Sequence, residues 1–80
     1  MAGKLRPGTG SREVRPIVYN NGTAYIGETP VWAVIRKQND GVPARAIQEA
    51  FNLHADELAA ISEHAARYPN EIARDLRLNR

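Results

Sequence analysis

The segment Ile17–Ile26 carries the strongest local signal in the sequence, an Asn21-Gly22 pair between two short stretches rich in β-branched and aromatic residues. Asn-Gly suits a two-residue type I′ turn, because both turn positions need positive φ. The pair therefore predicts a β-hairpin with Tyr19 opposite Ala24. One hairpin face would carry Ile17, Tyr19, Ala24 and Ile26. A lone hairpin is barely stable in water, so we expect it to pack on helices or to pair with a second copy, including edge to edge.

Helical spacing of apolar residues follows the hairpin. Thr29 can cap a first helix that runs from Pro30 to about Asn39. The second helix is predicted over Ala44–Phe51, after Pro43, and the third from about Ala55 to Tyr68. Pro69 ends or kinks the third helix, and residues 70–78 could form a last, frayed one. The residues predicted to be buried in these helices are Val31, Val34, Ile35, Ala46, Ile47, Ala50, Phe51, Leu58, Ile61, Ala65 and Tyr68.

These elements predict a mainly α fold, an N-terminal β-hairpin followed by a three-helix helix-turn-helix core and a short C-terminal helix. Residues 15–80 would form this single domain. Residues 1–14 have few apolar side chains and several glycines, so they predict a disordered basic arm. An 80-residue chain without cysteine has no disulfides to stabilise it, and dimerisation is the simplest remaining source of stability.

Charge and hydropathy predict a protein that does not span a membrane. No apolar run approaches the length that spans a bilayer, and the first 15 residues are polar and basic, so we expect a cytoplasmic protein with no membrane partner.

Both ends of the chain are basic and the middle is acidic. Basic tails often contact phosphate, although they also serve as ordinary solvated surface. The arm residues proposed for phosphate contact are Lys4, Arg6, Arg12 and Arg15.

The sequence predicts a non-enzyme without cofactor or metal. No glycine-rich phosphate loop lies between a strand and a helix. His54 and His64 are ten residues apart, and neither has an acidic residue four positions away on a helix. Ser62 and His64 point to different sides of one helix, so they cannot form a nucleophile pair. An adjacent pair, Asp56 and Glu57, is explained by the dipole at the start of the third helix.

Two short helices joined by a tight turn are typical of helix-turn-helix proteins, in which the second helix enters the major groove of DNA. The residues predicted to contact double-stranded DNA are Arg36, Lys37, Arg45, Gln48 and His54. Asp56 and Glu57 oppose this interpretation, because carboxylates at the start of a recognition helix repel phosphate. Trp32 is expected in the core or at an interface, and Tyr19 and Tyr25 against helices or a symmetry mate.

Four short stretches of the chain resemble the bacterial family named domain of unknown function 433. These stretches are Pro30–Ile35, Gly41–Ile47, Leu53–Leu58 and Tyr68–Ile72, and they lie within residues 25–72. The sequence departs from the family where Gly27–Pro30 is shorter and lacks an arginine, where Val42 and His54 replace helix caps, and where His64 and Ala65 replace two tyrosines. The resemblance implies a compact helical homodimer that pairs with a toxin, typically a PIN-like ribonuclease, and represses its own operon.

The sequence is therefore compatible with two functions. The first is a small DNA-binding helix-turn-helix protein, an antitoxin or autorepressor that binds operator DNA and a cognate toxin. The second is a protein-interaction module that binds a partner protein through its helices and basic arm without binding DNA.

Overall fold

The computed structural model describes residues 14–79, and the predicted arm residues Lys4, Arg6 and Arg12 lie outside that range. A three-stranded antiparallel sheet of order β1-β2-β3 precedes the helices, of which the described residues contain four. The elements in chain order are β1 (Ile17–Asn20), β2 (Thr23–Ile26), β3 (Thr29–Pro30), α1 (Val31–Asn39), α2 (Ala44–Phe51), α3 (Ala55–Arg67) and α4 (Pro69–Leu78).

The hairpin is confirmed with its register. Tyr19 pairs with Ala24, and the turn residues Asn21 and Gly22 have φ values of 55° and 83°. Both turn positions thus have the positive φ that a type I′ turn needs. Ala24 and Ile26 are buried on the face that meets the helices, so the hairpin contributes directly to the core.

The prediction that Thr29 caps a helix beginning at Pro30 is wrong. Thr29 and Pro30 instead form β3, which pairs antiparallel with Ile26 and Tyr25 of β2. Gly27, with φ of 59°, lies in the turn that brings β3 back beside β2. The helix α1 therefore begins one residue later, at Val31, and no side chain caps it.

The C-terminal helix is a full element of the fold rather than a short frayed one. Pro69 takes the first helical position of α4, where its missing N–H costs nothing, and Ile72 is buried. Arg36 of α1 donates from Nη1 to the Asn79 carbonyl at 2.7 Å and from Nη2 to the Leu76 carbonyl at 3.1 Å. These bonds satisfy carbonyl groups at the end of α4, which helices otherwise leave without an intrahelical partner.

The core is smaller than the periodicity predicts. Its buried apolar residues are Ala24, Ile26, Val31, Val34, Ile35, Ile47, Leu53, Leu58, Ile61 and Ile72. The predictions of buried Ala46, Ala50 and Tyr68 are wrong, since all three side chains are exposed, and Phe51 is only half-buried. The reason is that α2 lies on the surface of the domain and buries a single residue, Ile47.

Candidate functional site

A sharp turn separates α2 from α3, as the sequence predicts. Asn52 closes α2 in the left-handed conformation, with φ of 57° and ψ of 52°, and the Leu53 amide donates to the Gln48 carbonyl at 2.8 Å. Asn tolerates this conformation better than most residues, which explains why the chain can bend here. The two helices are thus distinct, and α3 buries only one side in the domain.

The first turn of α3 contains a fully buried carboxylate, Glu57. Its Oε2 accepts from the Arg15 backbone amide at 3.0 Å and from Arg15 Nε at 2.9 Å, and its Oε1 accepts from Arg15 Nη2 at 3.1 Å. Oε1 also accepts from the His54 amide at 3.0 Å, which satisfies one of the N–H groups at the helix start. The hydrogen bonds from Arg15 are the main cause that lowers the pKa of Glu57 to about 2.

Two of the arginines considered for DNA contact are engaged within the domain. Arg15 binds Glu57 and also donates from Nη2 to the Asn52 carbonyl at 3.2 Å. Arg36 binds the end of α4, and its Cζ lies 5.0 Å from the centre of the Trp32 ring. A cation over an aromatic face is attracted to it, so Trp32 helps to hold Arg36 in place. Both guanidinium groups are therefore committed to contacts within the domain.

The other residues considered for DNA contact do not form one basic surface on α3. Lys37, Arg45 and His54 are exposed and Gln48 is half-buried, but they belong to α1, α2 and the turn before α3. The exposed side of α3 consists of Ala55, Asp56, Ala59, Glu63, Ala66 and Arg67. This face has two acidic residues and one basic residue, and three alanines that offer no hydrogen bonds to bases.

A surface pocket of about 260 Å³ lies between β1 and α3. It is lined by Ile17, Tyr19, Ala60, Glu63, His64, Arg67 and Tyr68. Three of these residues, Tyr19, His64 and Tyr68, have aromatic rings. Tyr19 is 50% exposed and Tyr68 is 42% exposed. Such partly exposed aromatic rings around a concave site are typical of binding surfaces rather than of a closed core.

Hydrogen bonds hold the aromatic side of this pocket in place. The Tyr19 hydroxyl donates to Glu71 Oε1 at 2.6 Å and lies 3.0 Å from His64 Nε2. The rings of His64 and Tyr68 pack with their centres 4.8 Å apart. The bond to Glu71 is the main cause that raises the pKa of Tyr19 to about 12, so this hydroxyl keeps its proton across the physiological range. The cluster thus joins β1, α3 and α4 at one fixed point.

The three predicted interface residues differ in their surroundings. Tyr19 belongs to the pocket, whereas Tyr25 and Trp32 are half-buried and lie outside it. The sequence interpretation did not find the pocket residues His64 and Tyr68, nor Glu71, which accepts a hydrogen bond from Tyr19 but does not line the pocket. All three lie 45 or more positions from Tyr19 in the chain.

The comparisons with known proteins add no family. The chain matches no protein-family model, no curated protein and no solved structure. Within residues 14–79, no helix has the length and apolar character needed to cross a bilayer. The same described range contains no group of three or more His, Asp or Glu side chains arranged to hold a metal ion.

Proposed function

We propose that the chain is a protein-binding module that takes one side chain of a partner protein into the pocket between β1 and α3. The observation that carries this proposal is the pocket itself, lined by the rings of Tyr19, His64 and Tyr68. Pockets for small-molecule ligands occupy about 300–1,000 Å³, so a volume of about 260 Å³ suits a single side chain better than a cofactor.

The chemistry of the pocket favours an aromatic or large apolar side chain. Ile17 and Ala60 supply an apolar lining, and the phenol rings supply flat surfaces for stacking. Glu63 and Arg67, one turn apart on α3, also line the pocket, with Arg67 Nη2 and Glu63 Oε2 3.7 Å apart. An apolar centre with a charged rim is the usual arrangement of protein interfaces, in which buried aromatic anchors contribute most of the binding energy.

The resemblance to the domain of unknown function 433 family favours a particular partner class. A toxin, typically a PIN-like ribonuclease, is the partner that the resemblance implies. We take the protein encoded beside this chain as the partner to test first, because toxins and antitoxins are encoded together.

The pocket can be blocked without disturbing the core. We expect Ala60→Arg to weaken binding of the adjacent gene product at least tenfold, because a long charged side chain would fill the pocket. Ala66→Arg is the matched control, since Ala66 is exposed on α3 and does not line the pocket. It should bind within about threefold of the unmodified chain, a difference below about 1 kcal/mol. Calorimetric titration of the purified proteins measures both, and equal affinities for the two variants would refute the pocket.

A second candidate function is a DNA-binding repressor, favoured by the bend at Asn52 that separates α2 from α3. The acidic face of α3 counts against it, because DNA binding draws most of its affinity from cations on phosphates. We expect no sequence-selective gel shift with the chain's own promoter fragment, even at low salt. Selective binding that Arg45→Ala weakens, while Arg77→Ala of α4 leaves it unchanged, would establish the repressor instead.

A further inference from the structure

The strand β1 forms an open edge of the sheet. Among the described residues only β2 pairs with it, so one row of its backbone N–H and C=O groups faces outward. Edge strands are usually protected by charged side chains, prolines or bulges. Ile17–Asn20 contains no charge and no proline, and Val18 and Tyr19 are about half exposed. Within Ile17–Asn20 this edge therefore lacks the charges and prolines that commonly prevent a second strand from pairing.

The hairpin register fixes which backbone groups point outward. Asn20 and Thr23 flank a two-residue type I′ turn, so they form a hydrogen-bonded pair. Hydrogen-bonded and non-hydrogen-bonded pairs alternate in an antiparallel ladder, which makes Val18 the next residue bonded to β2. The N–H and C=O groups of Ile17 and Tyr19 consequently point to the open edge.

We propose that β1 pairs antiparallel with β1 of a second copy, with the twofold axis at Val18. Ile17 of each copy then lies opposite Tyr19 of the other, and the outward groups of both residues are satisfied by four backbone hydrogen bonds. If the register were shifted by one residue, backbone groups that point to the open edge on one strand would lie opposite groups that point toward β2 on the other. A shift by two toward the turn would draw Asn21 into the ladder, although its φ of 55° is incompatible with a strand.

Pro16 is compatible with this register. It lies opposite Asn20 of the second copy, at a position where no backbone hydrogen bond forms. Its missing N–H belongs on the side of β2, so Pro16 ends the pairing with β2 but leaves the open edge intact. Pro16 therefore does not obstruct pairing at the open edge.

Charge and the pocket also favour a second copy at this edge. The strand is uncharged, so the twofold brings no like charges together, and the adjacent part of α3 carries one acid and one base, Glu63 and Arg67. Ile17 lines the pocket, and in this register Tyr19 of the second copy would lie opposite it. The pairing goes beyond the protein-binding function and does not depend on it, because the sheet geometry and the absence of charge in β1 support the pairing by themselves.

Val18 is the position at which to test the pairing. Val18→Glu would place two carboxylates directly opposite each other at the twofold axis, whereas Val18→Thr keeps the shape and the β-branched side chain. By sedimentation equilibrium we expect a mass twice the 8.9 kDa of the chain, and a dimer dissociation constant at least tenfold higher for Val18→Glu. Val18→Thr should stay within about threefold, a difference below about 1 kcal/mol. A single-chain mass at all concentrations, or equal dimerisation by Val18→Glu, overturns the proposal.

A cross-link tests the register independently of dimer strength. The chain has no cysteine, so a single Val18→Cys reports on one position. Non-hydrogen-bonded pairs bring the two Cα atoms to about 4.5 Å, within the range that a disulfide spans. We expect rapid intermolecular disulfide formation for Val18→Cys and slow formation for Leu78→Cys, an exposed apolar site on α4. Equal rates overturn the register. Both experiments use this chain alone, so failure of partner binding leaves their outcomes readable.

Discussion

We expect Glu57→Ala to lower the free energy of unfolding by about 3 kcal/mol, because it removes a buried carboxylate that holds Arg15 and the start of α3 together. The lost bonds are two from the Arg15 side chain, one from its backbone amide and one from the His54 amide. Single domains are stable by only about 5–15 kcal/mol, so this is a large fraction of the total. Urea unfolding followed by circular dichroism measures the change.

The matched control is Glu63→Ala on the exposed side of the same helix. The Glu63 side chain is 74% exposed and its ion pair with Arg67 spans 3.7 Å, so its removal should change stability by less than about 0.5 kcal/mol. Arg15→Ala should destabilise in the same direction as Glu57→Ala, because it leaves Glu57 buried without its cation. Equal midpoints of urea unfolding for Glu57→Ala and Glu63→Ala would show that the buried carboxylate does not stabilise the fold.

Local chemistry made most of the fold predictable. The Asn21-Gly22 pair fixed the hairpin and its register, because few residues other than Asn and Gly accept positive φ at both turn positions. Pro43 and the left-handed Asn52 bound α2 at the predicted residues, Ala44–Phe51. These signals act within a few residues of the chain, and they need no knowledge of what the element packs against.

Packing between distant segments accounts for what the sequence did not predict. The periodicity of α2 indicates a wider apolar face than the one it buries, since the face an alanine presents depends on whether a neighbouring element covers it. Thr29-Pro30 has the composition of a helix start, yet the return of the chain at Gly27 makes it an edge strand beside β2. Tertiary context thus overrode local preference at both places.

The candidate site could not be predicted from the sequence, because its residues come together only through packing between distant segments. Glu57 has the position expected of a residue that interacts with the helix dipole, and its burial under Arg15 arises only when residue 15 crosses the start of α3. Of Tyr19, His64 and Glu71, only Tyr19 was predicted to lie at an interface, and the three side chains meet only in the folded chain. Their convergence could not be predicted from the sequence.

The Arg15–Glu57 pair also predicts acid sensitivity. The pKa of Glu57 falls from 4.5 in the unfolded chain to about 2 in the folded one. A lowered pKa means that the pair stabilises the fold fully above pH 4.5 and loses that contribution as the pH falls toward 2. Because the Arg15 side chain is 42% exposed and water screens it, we expect a contribution on the order of 2 kcal/mol near neutral pH.

Glu57→Gln isolates this contribution from the titration of the other carboxylates. The amide resembles the protonated acid, so the unmodified chain should be more stable than Glu57→Gln at pH 7 and lose more than half of that advantage by about pH 3. Urea unfolding at intervals between these pH values gives the difference directly. If the difference in the free energy of unfolding between the two chains stays constant from pH 7 to pH 3, Glu57 stabilises the fold by its shape alone. Only an ionised carboxylate paired with Arg15 makes that difference depend on pH.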